Sequence, residues 1–200
     1  MDNMTKEQFK KDVSNHKMEI VSDNGLYRHL VCSKGSFDYK FEIVTWPGHL
    51  SISGDMGDFV FSRVDDMFKF FRRDDGDINS GYWSQKVTAQ SVFGGGIERF
   101  DVELFRQRVL EDVREHLDIK EGVFDLPDDI QEEIAPLLEA SDEWECVEAI
   151  RNFRSEKLDF SCFFECSVKV KTYQYLWCCY AIVWAIAQYD LAKAGKEDVK

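Results

Sequence analysis

Only three prolines and four histidines occur among the 200 residues, and no stretch stays apolar for long. The longest wholly apolar run, Leu176 to Ala187, has twelve residues, well short of the ~18 that a membrane-spanning helix needs. The opening MDNMTKEQFKKD is charged where a secretory signal would be apolar. These absences predict a cytoplasmic protein with no direct membrane partner.

Motifs for cofactors are missing as well. Gly94-Gly95-Gly96 lacks the lysine and hydroxyl residue that follow a phosphate-binding loop. DDGDIN, from Asp74, lacks the alternating ligands and closing Glu of a calcium loop. Six cysteines are present (Cys32, Cys146, Cys162, Cys166, Cys178, Cys179), but without short CxxC pairs or neighbouring histidines. Cytoplasmic reductants would keep them as free thiols. No cofactor, metal site or catalytic set is expected.

What is present is core material: 44% hydrophobic and 14% aromatic residues, enough for one packed α+β domain spanning residues 1–200. Thr5 to Asn15 reads as an amphipathic helix with Phe9 and Val13 inward. Residues 26–63 read as a four-stranded antiparallel meander packed against helices. Its first hairpin pairs Cys32 with Phe37, Leu30 with Tyr39 and Leu26 with Ile43. A later hairpin, turning at Gly54 to Gly57, pairs Ile52 with Phe59 and Leu50 with Phe61. A capping pattern at Ser62 and Asp65 opens a helix carrying Val64, Met67, Phe68 and Phe71. Three helices follow in an acidic region, residues 98–159. Their markers are Val102, Phe105, Val109 and Val113; then Ile130, Ile134 and Leu138 in a helix that Pro136 must bend or break; then Trp144, Val147 and Ile150. Residues 172–193 form a helix apolar almost all round, which suits the centre of a fold, with Trp184 as a core anchor.

Charge is the most uneven feature. The net charge is −13, and residues 98–159 hold 20 acids against 8 bases. Such a field disfavours nucleic acid and anionic membrane as direct partners and favours a basic protein surface. The candidate contact residues are Glu103, Glu111, Asp112, Glu115, Asp118, Asp128, Asp129, Glu132 and Glu133. A competing site lies on the polar face of the sheet. His49-Leu-Ser51 has the His-x-Ser alternation of two-histidine phosphoesterases, although His29-Leu-Val31 lacks the second hydroxyl. Trp46, Asp55, Tyr82 and Trp83, near turns and loops, complete that candidate ligand site.

At TWPGHLSISGDMGDFVFSRVDDMFKFFR, NSGYWSQK and LWCCYAIVWAIAQYD, the sequence resembles a family of uncharacterised accessory proteins of tailed bacteriophages and prophages, from about Leu26 to Asp190. The resemblance implies action inside the bacterial host cell. The leading expectation is a non-enzymatic, anti-defence protein that blocks a host factor, such as a CRISPR or other nucleic-acid-guided system, by offering carboxylates in place of phosphates. The alternative is a nucleotide or small-ligand binder, or a phosphoesterase-like enzyme, using the sheet face around His49.

Overall fold

The computed structural model describes residues 4–92, 95–119 and 126–197, with side chains through 195. Among them are helices α1 (Lys6–Asp12), α2 (Met67–Phe71), α3 (Ser80–Ser84), α4 (Val102–His116), α5 (Asp128–Glu139), α6 (Glu143–Asn152) and α7 (Tyr173–Glu197). The strands are β1 (Lys17–Asn24), β2 (Tyr27–Ser33), β3 (Phe41–Trp46), β4 (His49–Gly54), β5 (Phe59–Ser62), β6 (Val87–Gln90), β7 (Glu98–Phe100) and β8 (Lys169–Lys171). The fold is α+β with an antiparallel main sheet. The chain divides into two compact units. Residues 1–98 and 171–200 make the first, and Arg99–Val170 make the second. No helix among the described residues is long and apolar enough to cross a membrane.

Unit 1 is built on a six-stranded sheet in the order β1-β2-β3-β4-β5-β6, two strands more than the sequence suggests. The additional strands are β1 and β6. β1 has only Met18 and Ile20 on its inner side, both half-buried, before a register shift between Ile20 and Ser22. β6 is four residues long and mostly exposed. Neither presents the sustained alternation that marks a strand in sequence. Inside the sheet the alternation is clean: Phe41, Ile43 and Thr45 of β3 are buried, and the residues between them face outward.

The two hairpins read from sequence fared differently. Leu50 pairs with Phe61 and Ile52 with Phe59, as the pattern requires, and all four are buried. The earlier hairpin is shifted: Cys32 pairs with Phe41 and Leu30 with Ile43, and Phe37 is 84% exposed in the loop. A shift of four keeps the inward set inward, so periodicity alone does not distinguish the two registers. Tyr39 decides it. Its backbone turns left-handed, with φ +54°, while its N–H donates to the Asp55 carboxylate and its carbonyl accepts from His16 Nε2.

α7 lies on the inner sheet face with Tyr175, Trp177, Cys179, Ile182 and Ala185 fully buried. Thr172 caps its start, accepting from the Tyr175 N–H and donating to the Gly96 carbonyl. α2 begins at Met67, later than the pattern from Ser62 implies, because Asp66 is the residue whose carboxylate accepts from the Phe68 N–H. Val64 is consequently exposed. The six cysteines are free thiols, four of them buried.

One glycine is held by its surroundings. A Cβ on Gly54 would lie 2.2 Å from the Lys40 carbonyl and 2.8 Å from Phe41 Cα, and its φ is +151°. At Gly57, with φ +114°, the nearest atom is a Phe59 ring carbon at 3.5 Å. Gly54→Ala is therefore expected to cost about 2 to 3 kcal/mol and Gly57→Ala about 1 kcal/mol, measured by urea denaturation. Equal costs would contradict the close approach of backbones at Gly54.

Unit 2 packs α4, α5 and α6 around a separate core. Its inward stripes are Phe105, Val109 and Val113; Ile130, Ile134 and Leu137; and Cys146 and Ile150. Asp101 and Asp142 cap α4 and α6 by accepting from the Leu104 and Glu145 N–H groups. Arg106 donates to the carbonyls of Leu138 and Ala140, satisfying orphan acceptors at the end of α5. Pro136 does not break α5, which runs through it. The carbonyl it deprives of a donor belongs to Glu132, and both residues are exposed.

Candidate functional site

Unit 2 holds 20 acids and 9 bases, a net charge of −11. The candidate acids within it differ in their pairing. Glu103 is paired with Arg106. Glu111 and Asp112 share Arg108, at 3.1 and 3.6 Å. Asp112 is also half-buried, and desolvation raises its carboxyl above the ordinary range despite Arg108. Glu115 and Asp118 are exposed near the end of α4. The excess is concentrated further on. Between Leu126 and Ile150 there are nine carboxylates and no Lys, Arg or His.

This stretch comprises α5, α6 and their connection. Asp128, Asp129, Glu132, Glu139, Asp142, Glu143 and Glu145 are exposed, and Glu133 is half-exposed. Lys157, from outside the stretch, pairs with Asp129 and holds its carboxyl below the ordinary value through a hydrogen bond. Asp128 and Asp129 sit in the first turn of α5, where the helix dipole favours them. Among the described residues Glu132 and Glu139 make no ion pair, and neither caps a helix.

Amid these carboxylates Trp144 is 72% exposed. The sequence pattern puts it on the inward stripe of its helix, and the structure corrects that. The stripe is Cys146, Ala149, Ile150 and Phe153, spaced i, i+3, i+4, i+7. At 100° per residue, Trp144 projects from a different face, beside Glu148 one turn on. Sequence reasoning does not reach Trp144 as a functional candidate, although the competing stripe is a signal that points to it.

The sheet-face candidates separate. Trp46, His49 and Ser51 do share the outer face of unit 1. Trp46 and His49 stack at 5.0 Å, 7° from parallel. His49 Nδ1 lies 3.1 Å from the Pro47 carbonyl. A carbonyl only accepts, so Nδ1 carries a hydrogen and donates it. Among the described residues no hydrogen bond joins His49 to Ser51. Asp55 is committed to the Tyr39 N–H. Tyr82 lies beside α3's neighbour Lys86, whose ammonium is 4.8 Å from its ring. Trp83 is removed from the site altogether: it is fully buried, packed edge-on against Phe71 at 4.8 Å.

On the same face His29 Nε2 donates to Glu42 at 2.9 Å, and Lys40 pairs with Glu42 at 3.0 Å. The bond from His29, then that from Lys40, hold the Glu42 carboxyl below its ordinary 4.5. A depressed folded value means that the stabilisation is complete above pH 4.5 and lost as pH falls through the folded value. The stability gap between wild type and Glu42→Gln should therefore close on acidification below about pH 4, as followed by thermal melts across pH. A gap that widens there would contradict the pairing.

No family model matches the chain, and no curated protein and no solved structure matches it.

Proposed function

We propose that this protein works by binding rather than catalysis, docking the carboxylate surface of α5 and α6 into a basic, nucleic-acid-binding surface of a protein partner. The observation that carries this reading is the run of nine carboxylates without a base, with a 72%-exposed tryptophan among them. Exposed carboxylates substitute for phosphates and set orientation and on-rate. Trp144 supplies the desolvated anchor, since tryptophan is the residue type most enriched at binding hot spots. The resemblance to phage accessory proteins makes a host defence factor that handles nucleic acid the partner class of choice.

A ligand or phosphoesterase-like role for the sheet face has the stacked Trp46 and His49 rings in its favour. Against it, neither Trp46 nor His49 lines the clefts at Phe37 to Asp55 or beside α7. The binding reading is tested by capture from bacterial lysate on immobilised protein at about 50 mM and about 500 mM salt. Nucleic-acid-binding proteins should be held at low salt and displaced by heparin, a competing polyanion. Capture indifferent to both salt and heparin would overturn it.

A further inference from the structure

Unit 2 also carries a surface of opposite character. A cleft of about 420 Å³ lies at the end of α6, lined by Arg151, Phe153, Arg154, Asp159, Phe160 and Phe164. Its volume falls within the ~300 to 1,000 Å³ of small-molecule sites. Two guanidiniums at one cleft are unexpected in a unit of net charge −11.

The lining is specific in its chemistry. Phe153 and Phe160 meet edge to face at 5.0 Å, and Phe160 meets Phe163 at 5.8 Å, so one wall is a braced aromatic cluster. Phe164 is 45% exposed and packs on Phe163 at 5.2 Å. Arg154 is oriented by donating through Nη1 to the carbonyls of Arg151 and Phe153. Among the described residues no carboxylate lies within 4 Å of it. Arg151 is paired with Glu148 at 3.2 Å in an exposed contact that a stronger anion can displace. Ser155 Oγ accepts from two backbone N–H groups, of Lys157 and Leu158, which leaves its own proton to donate. Asp159 accepts from the Ser161 N–H and hydroxyl, and these bonds hold its carboxyl below the ordinary range.

We propose that this cleft binds a mononucleotide. Arg151 and Arg154 take the phosphate, for which the planar guanidinium fork is suited. The exposed Phe164 ring offers a stacking face to the base. Asp159 accepts from a ribose hydroxyl, the contact that carboxylates make in dinucleotide sites. The surrounding charge of −11 selects for a ligand with one phosphate, because each further phosphate adds repulsion that two guanidiniums do not offset.

Isothermal titration of the full chain with AMP, CMP, GMP and UMP tests this. At least one should bind with a Kd of about 1 mM or tighter, and the matching nucleoside, lacking phosphate, at least ~10-fold more weakly. Arg151→Glu with Arg154→Glu should weaken the nucleotide by at least ~10-fold, and Phe164→Ala by about 5-fold or more. No binding by any of the four, equal binding of the nucleoside, or an unaffected arginine variant would overturn the proposal. If the double variant fails to fold, the nucleotide and nucleoside comparison on the wild type decides.

Discussion

Trp177→Ala is expected to cost about 4 kcal/mol of unfolding free energy, within the range for truncating a large buried aromatic. Trp177 is fully buried at the meeting point of three elements. Its ring meets Phe9 of α1 at 5.2 Å and Phe41 of β3 at 5.5 Å, and lies over Tyr39 at 5.7 Å, 16° from parallel. Its Nε1–H donates to Asp12 at 3.0 Å, so truncation also removes a partner from a half-buried carboxylate. Trp184, the residue that the sequence singles out in this helix, is only half-buried and touches Phe41 at 6.2 Å. Trp184→Ala should cost less than half as much. Urea denaturation of both variants checks the ranking, and a larger loss at Trp184 would contradict the packing described.

The difference between the two tryptophans illustrates what is legible in the sequence. A helix apolar all round announces its burial, but not which of its sides meets the sheet and which meets the periphery. The inner face of the meander is readable because Leu50, Ile52, Phe59 and Phe61 alternate on both sides of a glycine turn. The register of the hairpin before it is not. It depends on Tyr39 adopting a left-handed backbone held by His16 and Asp55, which are distant in sequence.

The acidic surface is visible in composition but more broadly than in the structure. Pairing of Glu103, Glu111 and Asp112 with arginines three or four residues away is a helix-spacing effect present in the sequence. That spacing narrows the candidate region to α5 and α6. Trp83 reads as a loop residue because it stands beside polar neighbours. The short helix α3, capped by Asn79, turns it into the core.

The largest functional effect is expected from the carboxylate surface. Glu132→Lys with Glu139→Lys changes the charge of the proposed docking face by four units. Both residues are exposed, neither caps a helix, and Glu139 lies at the C-terminal end of α5, where a cation suits the dipole better than an anion. Stability should change by under about 0.5 kcal/mol. Partner affinity should fall by at least ~100-fold at low salt, because like charges would then face each other across the interface. The loss should shrink as salt is raised, since the Debye length falls from about 10 Å at 0.1 M to about 3 Å at 1 M. A loss that is independent of salt would point to disrupted packing instead.

The central claim, that partners are engaged through Trp144 and its carboxylates and not through the sheet face, is tested most directly by comparing two single variants in the same capture assay. Trp144→Ala removes an exposed ring and His49→Ala removes the imidazole stacked on Trp46, and neither side chain is buried in a core. Trp144→Ala is expected to abolish salt-sensitive capture with an unchanged melting temperature, while His49→Ala retains it. Capture that survives Trp144→Ala and is lost in His49→Ala would contradict it.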